Sequence, residues 1–144
     1  MQIQGTTALV TGAASGLGEA TARELARLGA KVAVLDVNAA LAQQVAEQLN
    51  TDHGAGTAVS CHCDITQTES VQAALDAATT ALGPARILMN IAGIGTAKRV
   101  VGKDGNAAAL EDFAPRGQRQ SGGRLQHQPL VCRCLRQAHA WRRR

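Results

Sequence analysis

The chain has 144 residues and 45% apolar content, enough for one ordinary domain with a core and too little for several. Its formal charge of +4 averages two unlike pieces: residues 1–115 carry seven Lys and Arg and all eleven acids, a net of −4, whereas residues 116–144 carry eight Arg and no acid, a net of +8. The N-terminus lacks a basic-plus-apolar leader and no apolar run approaches membrane-spanning length, so secretion and membrane insertion are set aside and a cytoplasmic protein is expected.

After a polar lead-in, Met1 to Gly5, the apolar run Thr7–Thr11 reads as a short buried strand. The stretch Thr11-Gly-Ala-Ala-Ser-Gly-Leu-Gly18 follows, then a helical pattern over Leu17–Leu28 that places Leu17, Ala20, Thr21, Leu25 and Leu28 on one face. Gly29 stops this helix. Lys31–Asp36 is a second buried strand, and Ala39–Leu49 a second helix with Leu41, Val45 and Leu49 one turn apart. Turn formers fill Asn50 to Gly56, which reads as a loop. The third strand is Thr57–Cys63, ending in Asp64-Ile65. Glu69–Leu82 is a third helix with a stripe of Val71, Ala74, Leu75, Ala78 and Leu82, closed by Gly83-Pro84. Arg86–Asn90 is a fourth strand, followed by Ile91-Ala-Gly93.

Alternating apolar strands and helices with short connections predict an α/β fold: a Rossmann-like, doubly wound parallel sheet, incomplete at about four strands. In such sheets ligands bind outside the carboxyl ends of the strands. The marked residues fall there. A strand, a glycine turn and a helix are the context a nucleotide-phosphate loop requires. Gly12 would permit the sharp turn, Gly16 the approach of a pyrophosphate, and Gly18 close packing of helix on strand. The helix would then aim its unpaired N–H groups and positive dipole end at the phosphates. Asp36 ends the second strand 18 residues after Gly18, close to the spacing at which a carboxylate grips a ribose 2′-hydroxyl. A carboxylate there repels a 2′-phosphate, which favours NAD over NADP. An ordinary strand-to-helix turn and a solvated loop acid are the plain readings of these two features. Their meeting on one edge, with Asp64 and Asn90, favours a dinucleotide seat.

The four cysteines are Cys61, Cys63, Cys132 and Cys134, with His62, His127 and His139 nearby. Structural zinc sites space paired ligands by two or more residues, and Cys61 and Cys63 sit in a strand where alternate residues share a face. No metal site is expected, and without a secretory leader no disulfide.

Thr11-Gly-x-x-x-Gly-x-Gly18, Asp36, Asp64-Ile65 and Asn90-Ile-Ala-Gly93 resemble the short-chain dehydrogenase/reductase family over residues 3 to about 114. The family's fourth-strand motif is usually Asn-Asn-Ala-Gly; here its second position is Ile91. The run from Asn90 to Lys98, with Leu110-Glu-Asp-Phe113, looks most like the type II 3-hydroxyacyl-CoA dehydrogenase branch. The resemblance implies hydride transfer between a nicotinamide and a carbonyl or alcohol on a small-molecule or acyl-CoA substrate. Relatives often form tetramers. By the same resemblance Ser15 and Leu17 touch the diphosphate and ribose region, and Asp36 holds the adenosine ribose. Asp64 bonds the adenine amino group, Ile65 packs on the ring, the backbone of Asn90, Ile91 and Ala92 lines the adenosine-side ribose and its approach to the diphosphate, and Gly93 completes the cofactor-binding set. Asp64 could instead cap the third helix, and Asn90 tie neighbouring strands together.

The family's catalytic Tyr and the Lys four residues later lie beyond position 110, with a Ser and a relay Asn. This chain has no Tyr, and no Lys after Lys103, so general acid–base catalysis has no positioned group here. After Phe113-Ala114 the family expects an apolar helix of the type Arg-Val-Val-x-Val-Asn-Leu-x-Gly-x-Phe-Asn; this chain has Pro115-Arg-Gly-Gln-Arg-Gln-Ser-Gly-Gly-Arg-Leu-Gln-His-Gln128. Read one base later, codons for Gly-Gln permit Val-Asn, Gln-Ser permits Asn-Leu, Gly-Gly-Arg permits Val-Gly-Ala, and Leu-Gln-His permits Phe-Asn-Thr. The expected organisation is therefore an NAD-binding half-domain over 1–114 and a frameshifted, disordered Arg-rich tail over 115–144, truncating the enzyme before its catalytic residues. Alternatives are a catalytically inactive NAD-binding module and a basic-tailed nucleic-acid binder. The tail has no helix stripe, aromatic platform or folded motif, so nucleic acid is the less favoured partner. With a fifth strand missing, the fourth would be an apolar edge, and a marginally stable chain with weak NAD affinity is expected.

Overall fold

A computed structural model describes residues 2–93. In chain order they form β1 (Thr7–Thr11), α1 (Gly16–Arg27), β2 (Lys31–Asp36), α2 (Ala39–His53), β3 (Ala58–His62), α3 (Thr68–Leu82) and β4 (Ala85–Asn90). The four strands make one parallel sheet in the order β3-β2-β1-β4. This is the Rossmann-like α/β arrangement that the alternation of elements predicts. Leu110–Phe113, the Arg-rich segment 115–144, Cys132 and Cys134 lie outside the described residues.

Sheet strands are apolar because both faces are covered. On one face Ala8, Val10, Val32, Val34 and Ala58 pack with Ala22, Leu25 and Ala26 of α1 and Ala42, Val45, Ala46 and Leu49 of α2. On the other face Leu9, Ala33, Leu35, Cys61 and Cys63 pack with Val71, Ala74, Leu75, Ala78 and Leu82 of α3. The stripe expected on α3 is the buried one.

Of the stripe expected on α1, Leu25 is buried and Leu17, Ala20 and Leu28 are not. The buried residues of α1 are Gly18, Ala22, Leu25 and Ala26, whereas Leu17 is 80% exposed, Leu28 40% exposed and Ala20 also exposed. Leu25 faces the sheet alongside Gly18, Ala22 and Ala26, and the closest approach, to the Gly12 carbonyl, is at Gly18. Leu41 of α2 likewise points outward, with Ala42 buried beside it.

Caps fix the helix ends. The Gly29 N–H donates to the Ala26 carbonyl and the Ala30 N–H to the Leu25 carbonyl, with Gly29 at φ 83°, the paired-bond signature of a glycine stop. Asn38 Oδ1 accepts from the Leu41 N–H at 3.1 Å to open α2. That helix continues through Asn50–His53, where a loop is expected from composition. Thr51 Oγ1 donates to the Glu47 carbonyl, Gln48 Nε2 to Asp52, and the Asn50 amide exchanges two hydrogen bonds with the Ala58 backbone, so each turn former is engaged without leaving the helix.

Candidate dinucleotide site

The loop between β1 and α1 is shaped by three glycines with different tasks. Gly12 has φ 68°, and a Cβ there would stand 2.7 Å from the Cα and 2.9 Å from the nitrogen of Ala92. It therefore serves close approach of the chain after β4, as well as the turn. Gly16 has φ 55° with nothing within 4 Å of its Cβ position, so the space before it is open. Gly18 is helical, and a Cβ on it would lie 1.9 Å from the Gly12 carbonyl oxygen. Ser15 precedes α1 in extended conformation, exposed, and its side chain caps none of the helix N–H groups. The first turn of α1 thus presents its N–H groups and a hydroxyl to one open mouth.

Thr11 joins this loop to the end of β4. Its hydroxyl is buried and accepts from the Ile91 N–H at 3.1 Å and the Ala92 N–H at 3.2 Å. Ile91 also packs its side chain against the core that faces α1 and α2. An apolar residue at this position anchors the loop by burial. Asn90 and Gly93 are exposed, and Ala92 is half-buried.

Asp36 lies on the same edge, directly bound to the glycine loop. Its Oδ2 accepts from the Ala14 N–H at 3.0 Å, and its Oδ1 from the Asn38 N–H at 2.9 Å. An ionised carboxylate offers about four acceptor positions, so two hydrogen bonds leave capacity for hydroxyl donors from a ligand. Val37, beside it, is 66% exposed. An apolar residue one place past the acid was the available signal for that exposed wall, and the long-range clamp of Thr11 had none beyond the motif's leading Thr.

Asp64 is engaged locally. Its carboxylate accepts from the N–H and hydroxyl of Thr66 and from Gln67 Nε2, while its own N–H donates to Ser70 Oγ. The Thr66 hydroxyl bond, then the Thr66 N–H bond, hold its carboxyl below the usual aspartate value, with smaller contributions from Gln67 and the charge of His62, against a raising contribution from desolvation. Asp64 therefore shapes the turn before α3 and does not cap the helix, whose N-cap residue is Gln67 with no side-chain cap bond. Ile65 is half-buried and packs against the α3-facing core. Among the described residues no group of His, Cys, Asp and Glu could hold a metal ion. Cys61 and Cys63 share the α3-facing core, and burial pushes the Cys61 thiol up.

The glycine turn, Asp36, Asp64 and the chain after β4 thus converge on the carboxyl edge of one parallel sheet. The short chain dehydrogenase family matches residues 6–113. The chain belongs to that family. It is 45% identical over 93 residues to D-threitol dehydrogenase of Mycolicibacterium smegmatis, covering 65% of this chain and 35% of the relative. It is 38% identical over 98 residues to 7alpha-hydroxysteroid dehydrogenase of Escherichia coli K12, covering 68% and 38% respectively. The solved sorbitol-6-phosphate 2-dehydrogenase of Erwinia amylovora superposes with a TM-score of 0.76 at 30% identity, over 92% of this chain and 48% of that one. The chain spans about a third of the length of the curated relatives it matches. As a member of this dehydrogenase family it has the fold of a nicotinamide-cofactor oxidoreductase. Among the described residues no helix is long and apolar enough to cross a membrane.

Proposed function

We propose that residues 1–114 are the NAD-binding half of a short-chain oxidoreductase that interconverts a hydroxyl and a keto group. The observation that carries the reading is the Asp36 carboxylate bonded to the Ala14 N–H of the glycine loop. That bond sets the proposed ribose-gripping acid beside the open space at Gly16. The residues fit the group. Gly16 leaves room for a diphosphate, and Ser15 has a hydroxyl not spent on capping. Asp36 would hold the adenosine ribose and disfavour a 2′-phosphate. Val37 and Ile65 would border the adenine, Asp64 would face its amino group, Leu17 would touch the diphosphate and ribose region, and the Asn90–Ala92 backbone would line the adenosine-side ribose and its approach to the diphosphate. The nicotinamide supplies the hydride acceptor when bound.

The similar proteins are named for alcohols of unlike shape, threitol and a 7alpha-hydroxysteroid among them. A small secondary alcohol is the substrate class proposed here, with a 3-hydroxyacyl-CoA suggested by the run from Asn90 to Phe113. The chain as written contains no Tyr, so we infer that it holds cofactor without turning substrate over. We read residues 115–144 as the family's next helix in a shifted frame. Calorimetric titration of NAD into the protein and its Asp36→Ala variant tests the seat, with saturable binding expected for the first and a large loss for the second. The nucleotide sequence tests the frame. A one-base deletion near the codons of Ala114 and Pro115 should restore a downstream Tyr-x-x-x-Lys, and the restored protein should form NADH from an alcohol.

A further inference from the structure

His62 ends β3 in register with Asp36 at the end of β2. Adjacent strands lie about 4.8 Å apart, and residues in register present their side chains to the same face. That face is the one covered by α1 and α2, because Val32, Val34 and Ala58 pack there and Ser60 bonds Gln43 of α2. His62 itself is exposed. Its charge also reaches Asp64, on the turn that follows β3. His62 therefore lies one strand from Asp36 and two residues before Asp64, at the same end of the sheet.

The other charged groups around it are placed as follows. From β2 the neighbour is Asp36, and from the turn after β3 it is Asp64. From α2, Glu47 is held by Gln43, which in turn holds Ser60, and Asp52 bonds Gln48 and stands 3.9 Å from Arg23. The four Lys and Arg of the described residues are elsewhere. Lys31 and Arg86 lie at or next to the opposite ends of their strands, Arg27 pairs with Glu24 in the last turn of α1, and Arg23 pairs with Glu19 and Asp52. Among the described residues His62 is thus the one side chain at this end of the edge that can acquire positive charge.

We propose that His62 sets how firmly the seat rejects a 2′-phosphate, serving as a proton-dependent counter-charge beside Asp36. The proposal rests on the reading of Asp36 as the ribose-binding carboxylate. With the imidazole neutral, Asp36 and Asp64 leave the ribose 2′ position uniformly negative, and NADP is excluded. With it protonated, a positive charge stands one strand away from Asp36 and offsets part of that repulsion. NAD carries no charge at the 2′ position and feels the change little. For unit charges a strand or two apart at a protein surface the expected effect is about fivefold in relative affinity, and it diminishes with added salt.

The experiment is calorimetric titration of NAD and NADP into the wild-type protein, His62→Gln and His62→Lys, at about pH 5.5 and about pH 8. The 2′-phosphate itself takes up a proton near pH ~6 and would weaken repulsion in every protein alike. The comparison with His62→Gln removes that contribution and every other shared titration. On acidification the preference for NAD should fall about fivefold further in the wild type than in His62→Gln. His62→Lys should show the reduced preference at both values. Equal pH dependence in the wild type and His62→Gln, with NAD still bound, would overturn the role of His62 alone. Failure of NAD to bind any of the three would overturn the seat and the proposal with it.

Discussion

Replacing Gly18 by Ala sets two known effects against each other. Gly18 lies within α1 at an ordinary helical φ, so by propensity alone Ala should stabilise the helix by about 1 kcal/mol. The added Cβ, however, would lie 1.9 Å from the Gly12 oxygen, 2.6 Å from its carbonyl carbon and 3.0 Å from the Ala13 Cα. All three are backbone atoms, which cannot swing aside. Ordinary contact requires the first turn of α1 to retreat by about 1.5 Å. Overpacking of this kind costs about 3 kcal/mol at the upper end of its range. The net is about 2 kcal/mol of destabilisation, and for a domain of this size the melting temperature should fall by about 10 °C. NAD binding should weaken in parallel, because the retreating turn carries the N–H groups that would face the diphosphate. Gly16→Ala is the control. At φ 55° with open space around it, it should cost about 1–2 kcal/mol through backbone strain alone, yet place a methyl at the mouth. Thermal unfolding followed by circular dichroism reads both. A Gly18→Ala protein as stable as the wild type would refute the close packing of α1 on the Gly12 carbonyl.

Three further outcomes follow from the same geometry. Thr11→Val keeps shape but removes the acceptor for the Ile91 and Ala92 N–H groups; denaturant unfolding should show a loss of about 2 kcal/mol, with Thr11→Ser recovering most of it. Asp64 is held below the ordinary aspartate value of 3.8, so its contribution to stability is present above that value and disappears as pH falls through the lower, folded one; Asp64→Asn should flatten this acid limb of the unfolding profile. Burial raises the Cys61 thiol, so the folded protein should protect Cys61 and its buried neighbour Cys63 from maleimide at neutral pH, and denaturant should expose both, as counted by peptide mass spectrometry.

Much of the architecture was legible because large apolar residues repeat with the right period. On α3 the stripe from Val71 to Leu82 is the buried face. The strands announce themselves as unbroken apolar runs because helices cover the sheet on both sides. On α1 the signal misled. The sheet-facing positions are Gly18, Ala22, Leu25 and Ala26, mostly small because of the close approach at Gly18, and the conspicuous Leu17 and Leu28 point outward. Asn50–His53 is rich in turn formers by type, yet their side chains bond along the helix and to Ala58.

At the site, the glycines and Asp36 were legible through their spacing. The bonds from Thr11 to residues 91 and 92 were not, because they join positions 80 and 81 apart in the chain. The register that sets His62 beside Asp36 depends likewise on how β2 and β3 align, which neither strand states alone.

Amide chemical shifts of the isotope-labelled protein during a NAD titration test the central claim most directly. Ala14, Ser15, Gly16, Asn38, Ile91 and Ala92 should move together along one saturable curve, with the amides at the strand beginnings, Lys31 and Ala58 among them, unaffected. A saturable response centred on those beginnings, or no response at the glycine loop, would contradict the assignment of this edge as the dinucleotide seat.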